Sequence, residues 1–197
     1  MISKNKHSGF TIVELLIVIV VIGILASISI TAYAGITTRS QDSVISSKVQ
    51  GIAKLLESYA ATTGGVVPQA DWACIGEPAD YPAENGYTAE WCHQPYQSPP
   101  IPNGNDHPIS ATVNTKLKTV VSVIPNGRVP EVDLGGGVKY RGILYDSSAA
   151  QNSNRPVLQY YVKGARNTCP IGTKEFSGPD YTRCNYMFTS VKSESGN

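Results

Sequence analysis

The sequence predicts an α+β chain: one long N-terminal helix packed on a C-terminal antiparallel sheet of three or four strands, with a disulfide-stapled loop region. Three observations carry that expectation. An apolar run with a helical continuation fills the N-terminal third, proline crowds residues 66–109, and period-two alternation dominates from residue 138 onward. With 197 residues the chain suits one ordinary domain and is too short for two comfortable ones. A hydrophobic content of 41% excludes a disordered protein, and a formal net charge of +1 excludes a basic packaging protein. A polytopic membrane protein is excluded as well, because a single stretch is long and apolar enough to span a bilayer.

That stretch opens the helix. Between Glu14 and Arg39 lie 24 uncharged residues whose core reads LLIVIVVIGILASISI, and a spanning helix needs about 20 such residues. Lys4 and Lys6 precede it and, by the positive-inside bias, keep the N-terminus cytoplasmic, with everything from about Arg39 facing outward. A secretory signal would run from its basic start straight into the apolar region and a small-residue cleavage site. Here Glu14 stands at the mouth of the run, and the helical pattern continues far past it. Ile45, Val49, Ile52, Leu56 and Tyr59 recur at steps of four and three, so the helix is apolar all round over 10–38 and one-sided over 39–63. No proline occurs before Val67, and Gly64-Gly65 supply the stop, which predicts one helix from Phe10 to Thr63.

Residues 64–197 form the head. Eight of the 13 prolines and both tryptophans fall in 66–109, so 64–110 reads as a long loop region. Val113, Leu117, Val120, Val121 and Ile124 return at helical spacing before Pro125. They predict a short helix over 111–124 with Asn114 near its start, with a strand as the competitor because of the β-branched content. The sheet occupies 138–190. Val138, Tyr140, Gly142 and Leu144 fall on one strand face and Lys139, Arg141, Ile143 and Tyr145 on the other. Val157–Val162 and Arg183–Thr189 alternate in the same way, with Gly135-Gly136-Gly137 and residues 147–155 as connections.

Chemistry-bearing residues are few. Cys74, Cys92, Cys169 and Cys184 fall into two local pairs, and an exported domain would close them as 74–92 and 169–184, each worth about 3 kcal/mol. His93 beside Cys92, and His107 further on, make a metal site the rival reading, but no Cys-x-x-Cys spacing supports zinc. Asn103-Gly104-Asn105-Asp106 offers oxygens to calcium without the full ligand spacing and reads better as a solvated turn. Phosphate-loop, nucleophile-elbow and zinc-protease motifs are missing from the sequence, so neither an enzymatic role nor a cofactor is expected. Charge is divided unevenly: residues 64–115 hold six acids and no Lys or Arg, and residues 116–197 hold 11 basic and six acidic residues. The two halves can neutralise each other inside one domain, or meet between subunits, or leave basic groups for DNA.

Gly9-Phe10-Thr11-Ile12-Val13-Glu14-Leu15-Leu16, behind a short basic leader, resembles the processing and assembly signature of type IV pilins and type II secretion pseudopilins. The resemblance implies the type IV pilin fold and cleavage after Gly9 by a prepilin peptidase, which removes leader 1–9 and methylates the new N-terminal Phe10. It implies that membrane assembly machinery extracts the 10–38 half into the core of a filament of identical subunits, with minor pilins as further partners and DNA as a weaker one. Glu14 would there pair with the Phe10 amine of a neighbouring subunit. Physics agrees that a carboxylate at a membrane helix entrance demands a partner, although marking the helix start at the lipid interface is the plainer role. Many pilins carry a proline about eight residues after a glycine in this helix. Here Gly23 is followed by Thr31, so melting on assembly is less favoured, and Gly23 with Ser27 also reads as a small-residue packing face. The function implied is that of a structural subunit of a surface filament for adhesion, motility or DNA uptake. The alternatives are a secretion pseudopilin and a permanently anchored binding domain that keeps residues 1–9.

Overall fold

Helix α1 runs from Ile12 to Thr62 in the computed structural model, which describes residues 11–94, 108–148 and 155–194, without the side chains of 31, 32, 34 and 94. The chain divides into two units, Met1–Gln41 and Asp42–Asn197. At the end of α1 the chain turns on Gly64 (φ 76°) and Gly65 (φ 91°), where any other L-residue would be strained. The Gly65 N–H donates to the Ala60 carbonyl at 2.8 Å and so satisfies one of the helix's last acceptors.

The second unit is built around strands. First come β1 (Val66–Val67), β2 (Ala73–Cys74) and β3 (His93–Gln94), followed by helix α2 (Ala111–Leu117). Next are β4 (Arg128–Asp133), β5 (Lys139–Gly142), β6 (Leu144–Asp146) and β7 (Val157–Lys163). The chain closes with β8 (Thr173–Ser177), β9 (Tyr181–Met187) and β10 (Lys192–Ser193). An antiparallel sheet has the order β2-β6-β7-β9-β8, a smaller one has β3-β5-β4, and β1 pairs with β10 in parallel. The larger sheet therefore has five strands, because the short β2 and the fully peripheral β8 extend the alternating segments at either side. Pro130, which has no amide proton to give, sits in β4 at the edge of the smaller sheet, where a register shift also falls.

Residues 138–145, expected as one strand, are two. The chain leaves the smaller sheet at Gly142 and joins the larger one at Leu144. Gly142 permits the crossing, since an added Cβ would lie 2.4 Å from the Cys92 Cβ and 2.7 Å from the Tyr81 hydroxyl. Ile143 bonds across the junction, its N–H donating to the Gly127 carbonyl at 3.0 Å and its carbonyl accepting from the Ile75 N–H at 3.1 Å. The segment from 111 is a helix and not a strand, but α2 ends at Leu117 and turns follow it. Ser110 starts α2 by accepting the Val113 N–H on its hydroxyl at 3.3 Å. Asn114 lies inside α2, where it is buried and donates to the Gly76 carbonyl at 3.0 Å.

Two apolar clusters hold this unit together. Ile45, Val49, Ile52, Leu56 and Tyr59 of α1 join Val113, Leu117, Ile143, Tyr145, Leu158 and Tyr160 in the larger one. Each such side chain contributes about 1.5–3 kcal/mol when fully buried. Tyr81, Val132, Tyr140, Leu144 and Tyr161 form the smaller cluster around a Cys74–Cys92 disulfide. A Cys169–Cys184 disulfide ties the segment after β7 to β9, with Cys184 in the larger cluster.

Candidate functional site

The described N-terminal segment begins with a reciprocal cap. Thr11 precedes the first helical residue, and its hydroxyl accepts the Glu14 N–H at 3.3 Å. The same hydroxyl donates to Glu14 Oε2 at 2.7 Å, and the Thr11 N–H donates to that oxygen at 2.8 Å. This Thr-x-x-Glu box satisfies orphan amide donors and sets a carboxylate at the positive end of the helix. Glu14 thus has a local partner in the single chain, and both bonds fall on one carboxylate oxygen. Sequence reasoning found Glu14 and missed Thr11. Gly9 and Phe10 lie outside the described residues, as do Lys4, Lys6, His107 and residues 103–106.

Beyond the cap the helix surface is apolar and open. Every described side chain from Thr11 to Ile30 is exposed, and the helix is long and apolar enough to cross a membrane. Its hydroxyls suit a medium without water. Ser27 donates to the Gly23 carbonyl at 2.7 Å, Ser29 to Leu25 at 2.8 Å, and Thr37 to Tyr33 at 3.0 Å. Gly23 lies within unbroken helix, and a Cβ added there would meet nothing within 4 Å. The glycine therefore leaves a notch through which another helix backbone can approach closely.

The family model of the prokaryotic N-terminal methylation motif matches residues 4–30. The match supports a type IV pilin-like or pseudopilin-like prepilin. The match is to a structural and processing motif rather than an enzymatic one, and it fits membrane anchoring by the apolar helix and processing by a prepilin peptidase. No solved structure matches the chain.

Among the described residues, part of the divided charge is neutralised within the second unit. Glu77 of the acidic segment accepts from Lys118 at 2.9 Å, and Glu84 pairs with Arg128 and, at 3.1 Å, with Arg141. The Lys118 ammonium and the Ile124 N–H hold the Glu77 carboxyl below its ordinary range. Lys139 meets Glu131 and Arg183 meets Glu175, each at 3.1 Å. Arg166 grips both carboxylate oxygens of Asp42 at 2.6 and 2.7 Å. Internal neutralisation accounts for these groups, so the uneven charge by itself argues for neither a subunit contact nor DNA. His93, the histidine adjoining Cys92, belongs to β3 and packs on Tyr140 with ring centroids 4.5 Å apart.

Proposed function

We propose that the chain is a structural subunit of a type IV pilus-like surface filament, stored in the membrane by its N-terminal helix and assembled through it. The observation that carries this reading is the methylation motif at 4–30 joined to a capped helix that exposes only apolar and small side chains over 15–30. Cleavage after Gly9 would remove Lys4 and Lys6, the charges that hold the N-terminus at the cytoplasmic face. It would also create an ammonium at Phe10, which the peptidase methylates. Glu14 then offers its carboxylate to the Phe10 amine of a neighbouring copy, at a depth where an unpaired charge of either sign is costly. The apolar half over 10–38 packs against other copies, and the disulfide-bonded head forms the filament surface.

Replacing Glu14 with Ala tests this reading. The variant loses its cap but gains apolar length, so it should be exported, cleaved after Gly9 and retained in the membrane, yet yield few or no filaments. Normal filament yield would refute the assembly role of Glu14. Filaments that form only on overexpression of the unaltered chain would favour the pseudopilin alternative, and a membrane-bound chain that retains residues 1–9 would favour the anchored domain.

A further inference from the structure

We infer that Asn126–Gly127, just ahead of β4, is a self-modification site, at which the asparagine side chain closes on the following amide nitrogen and hydrolyses to aspartate or isoaspartate. Ring closure of this kind is governed first by the residue after the asparagine, because a side chain there crowds the attacking nitrogen. Gly127 has none, and none could be added, since a Cβ at that position would overlap the Ile75 carbonyl oxygen. Packing thus fixes a glycine behind an asparagine that is exposed to water. Among the described residues no acceptor takes the Gly127 N–H, so no hydrogen bond has to break before its nitrogen attacks.

The amide oxygen is the second feature. Asn126 Oδ1 accepts from the Arg128 N–H at 2.8 Å and from Lys48 Nζ at 3.2 Å. Lys48 of α1 is held in place by a second bond, which it donates to the Arg128 carbonyl at 2.6 Å. When the Gly127 nitrogen bonds to Asn126 Cγ, the carbonyl electrons move onto Oδ1, where an amide and an ammonium already point. The Cγ–Nδ2 bond then breaks, and Nδ2 leaves as ammonia with the proton that Gly127 gave up through water. One water molecule opens the resulting succinimide, giving aspartate by attack at Cγ or isoaspartate by attack at the main-chain carbonyl. The aspartate product sets a carboxylate where Lys48 now meets a neutral amide, so an ion pair joins α1 to the start of β4. Asn85–Gly86 repeats the dipeptide at an exposed turn, with Asn85 at φ 51°. Among the described residues no donor reaches the Asn85 amide oxygen, which makes this pair an internal reference.

The site lies wholly within the second unit, and its test is independent of filament assembly. Full-length protein in lipid nanodiscs is aged in mildly alkaline buffer made with heavy-oxygen water, and peptide mapping follows the segment 119–128. That peptide should gain one mass unit for the exchange of amide for acid and two more from the heavy oxygen, in a mixture of aspartate and isoaspartate forms. Lys48→Met removes one of the two donors at Oδ1 and should slow conversion at Asn126 roughly three- to tenfold, a smaller effect than in a water-excluded site because solvent replaces part of the lost bond. Conversion at Asn85 should not change in that variant. In urea, where the donors are no longer held at Oδ1, the parent chain and Lys48→Met should convert Asn126 at one rate, which separates the donor effect from any change in folding. Asn126→Asp, the aspartate product made directly, should raise the thermal midpoint of the parent but not of Lys48→Met. No gain in mass at 119–128, or equal native rates in the parent and Lys48→Met, overturns the proposal. A stable loss of ammonia that leaves Lys48 joined to Asn126 overturns it in favour of an amide cross-link.

Discussion

Arg141 offers the sharpest test of how the head is held together. It is 2% exposed, and its guanidinium lies 3.9 Å from the centre of the Tyr87 ring. Nη2 donates to the Pro82 carbonyl at 2.8 Å and to the Trp91 carbonyl at 3.0 Å, Nε to the same Trp91 carbonyl at 3.2 Å, and Nη1 to Glu84 at 3.1 Å. One side chain of β5 thus fastens the whole 82–91 segment. Arg141→Ala strands two backbone acceptors, at about 1–3 kcal/mol each, and removes a ring contact worth about 0.5–2 kcal/mol. Glu84 keeps Arg128 and is 36% exposed, so its lost bond adds little. Allowing for water that enters the gap, the expected loss is about 3–5 kcal/mol. Urea titration followed by tryptophan fluorescence measures it, because Trp91 supplies a carbonyl to Arg141 and Trp72 packs on the adjoining cluster. Arg141→Lys should recover less than half, since an ammonium cannot reproduce the planar fork. A loss below about 1 kcal/mol for Arg141→Ala would refute this account of the loop.

Gly142→Ala forces a methyl into the Cys92 Cβ and the Tyr81 hydroxyl and should cost about 2–3 kcal/mol in the same titration. Burial pushes the Tyr160 phenol up to about 12, although the Ile171 N–H, which donates to the phenol oxygen at 3.2 Å, opposes the shift. The unfolded phenol ionises near 10, so stability should be intact below that pH and fall from about pH 10 toward 12, a decline that Tyr160→Phe should reduce. In acid the sign reverses for Glu77, whose lowered carboxyl adds stability above its ordinary 4.5 and loses it as the pH falls further. Glu77→Gln should flatten the acid limb of a pH-stability curve. Paired serine substitutions should cost about 3 kcal/mol at either disulfide, whose chain separations of 18 and 15 are similar. The loss should be larger for Cys74 and Cys92, because both stranded hydroxyls would be buried.

The long helix was legible because its signals are local and redundant: no proline before Val67, a stripe from Ile45 to Tyr59, and two glycines where the chain must turn. Cysteine spacing was similarly direct. The edges of the sheet were not legible, for physical reasons. A two-residue strand such as β2 has no period to detect, and β8 alternates nothing because Thr173 to Phe176 are all exposed. The split at Ile143 leaves alternation intact, with Tyr140 and Leu144 in one cluster and Ile143 and Tyr145 in the other, while the hydrogen-bonding partners change. Arg141 read as a polar member of a strand face, and its burial depends on acceptors that lie 50–59 residues away in sequence. At the N-terminus the letters from Thr11 to Glu14 spell a capping box. The carboxylate's position at the mouth of an apolar helix pointed to charge pairing instead, and the single chain shows the same side chain engaged in the cap.

Mass spectrometry of filaments sheared from the cell surface tests the central claim most directly. The account predicts an N-terminal peptide that begins at Phe10, carries one methyl group on its amine and lacks residues 1–9, in filaments composed of this chain. A chain that remains in the membrane fraction with Met1 to Gly9 attached, or surface filaments that do not contain it, would contradict the account.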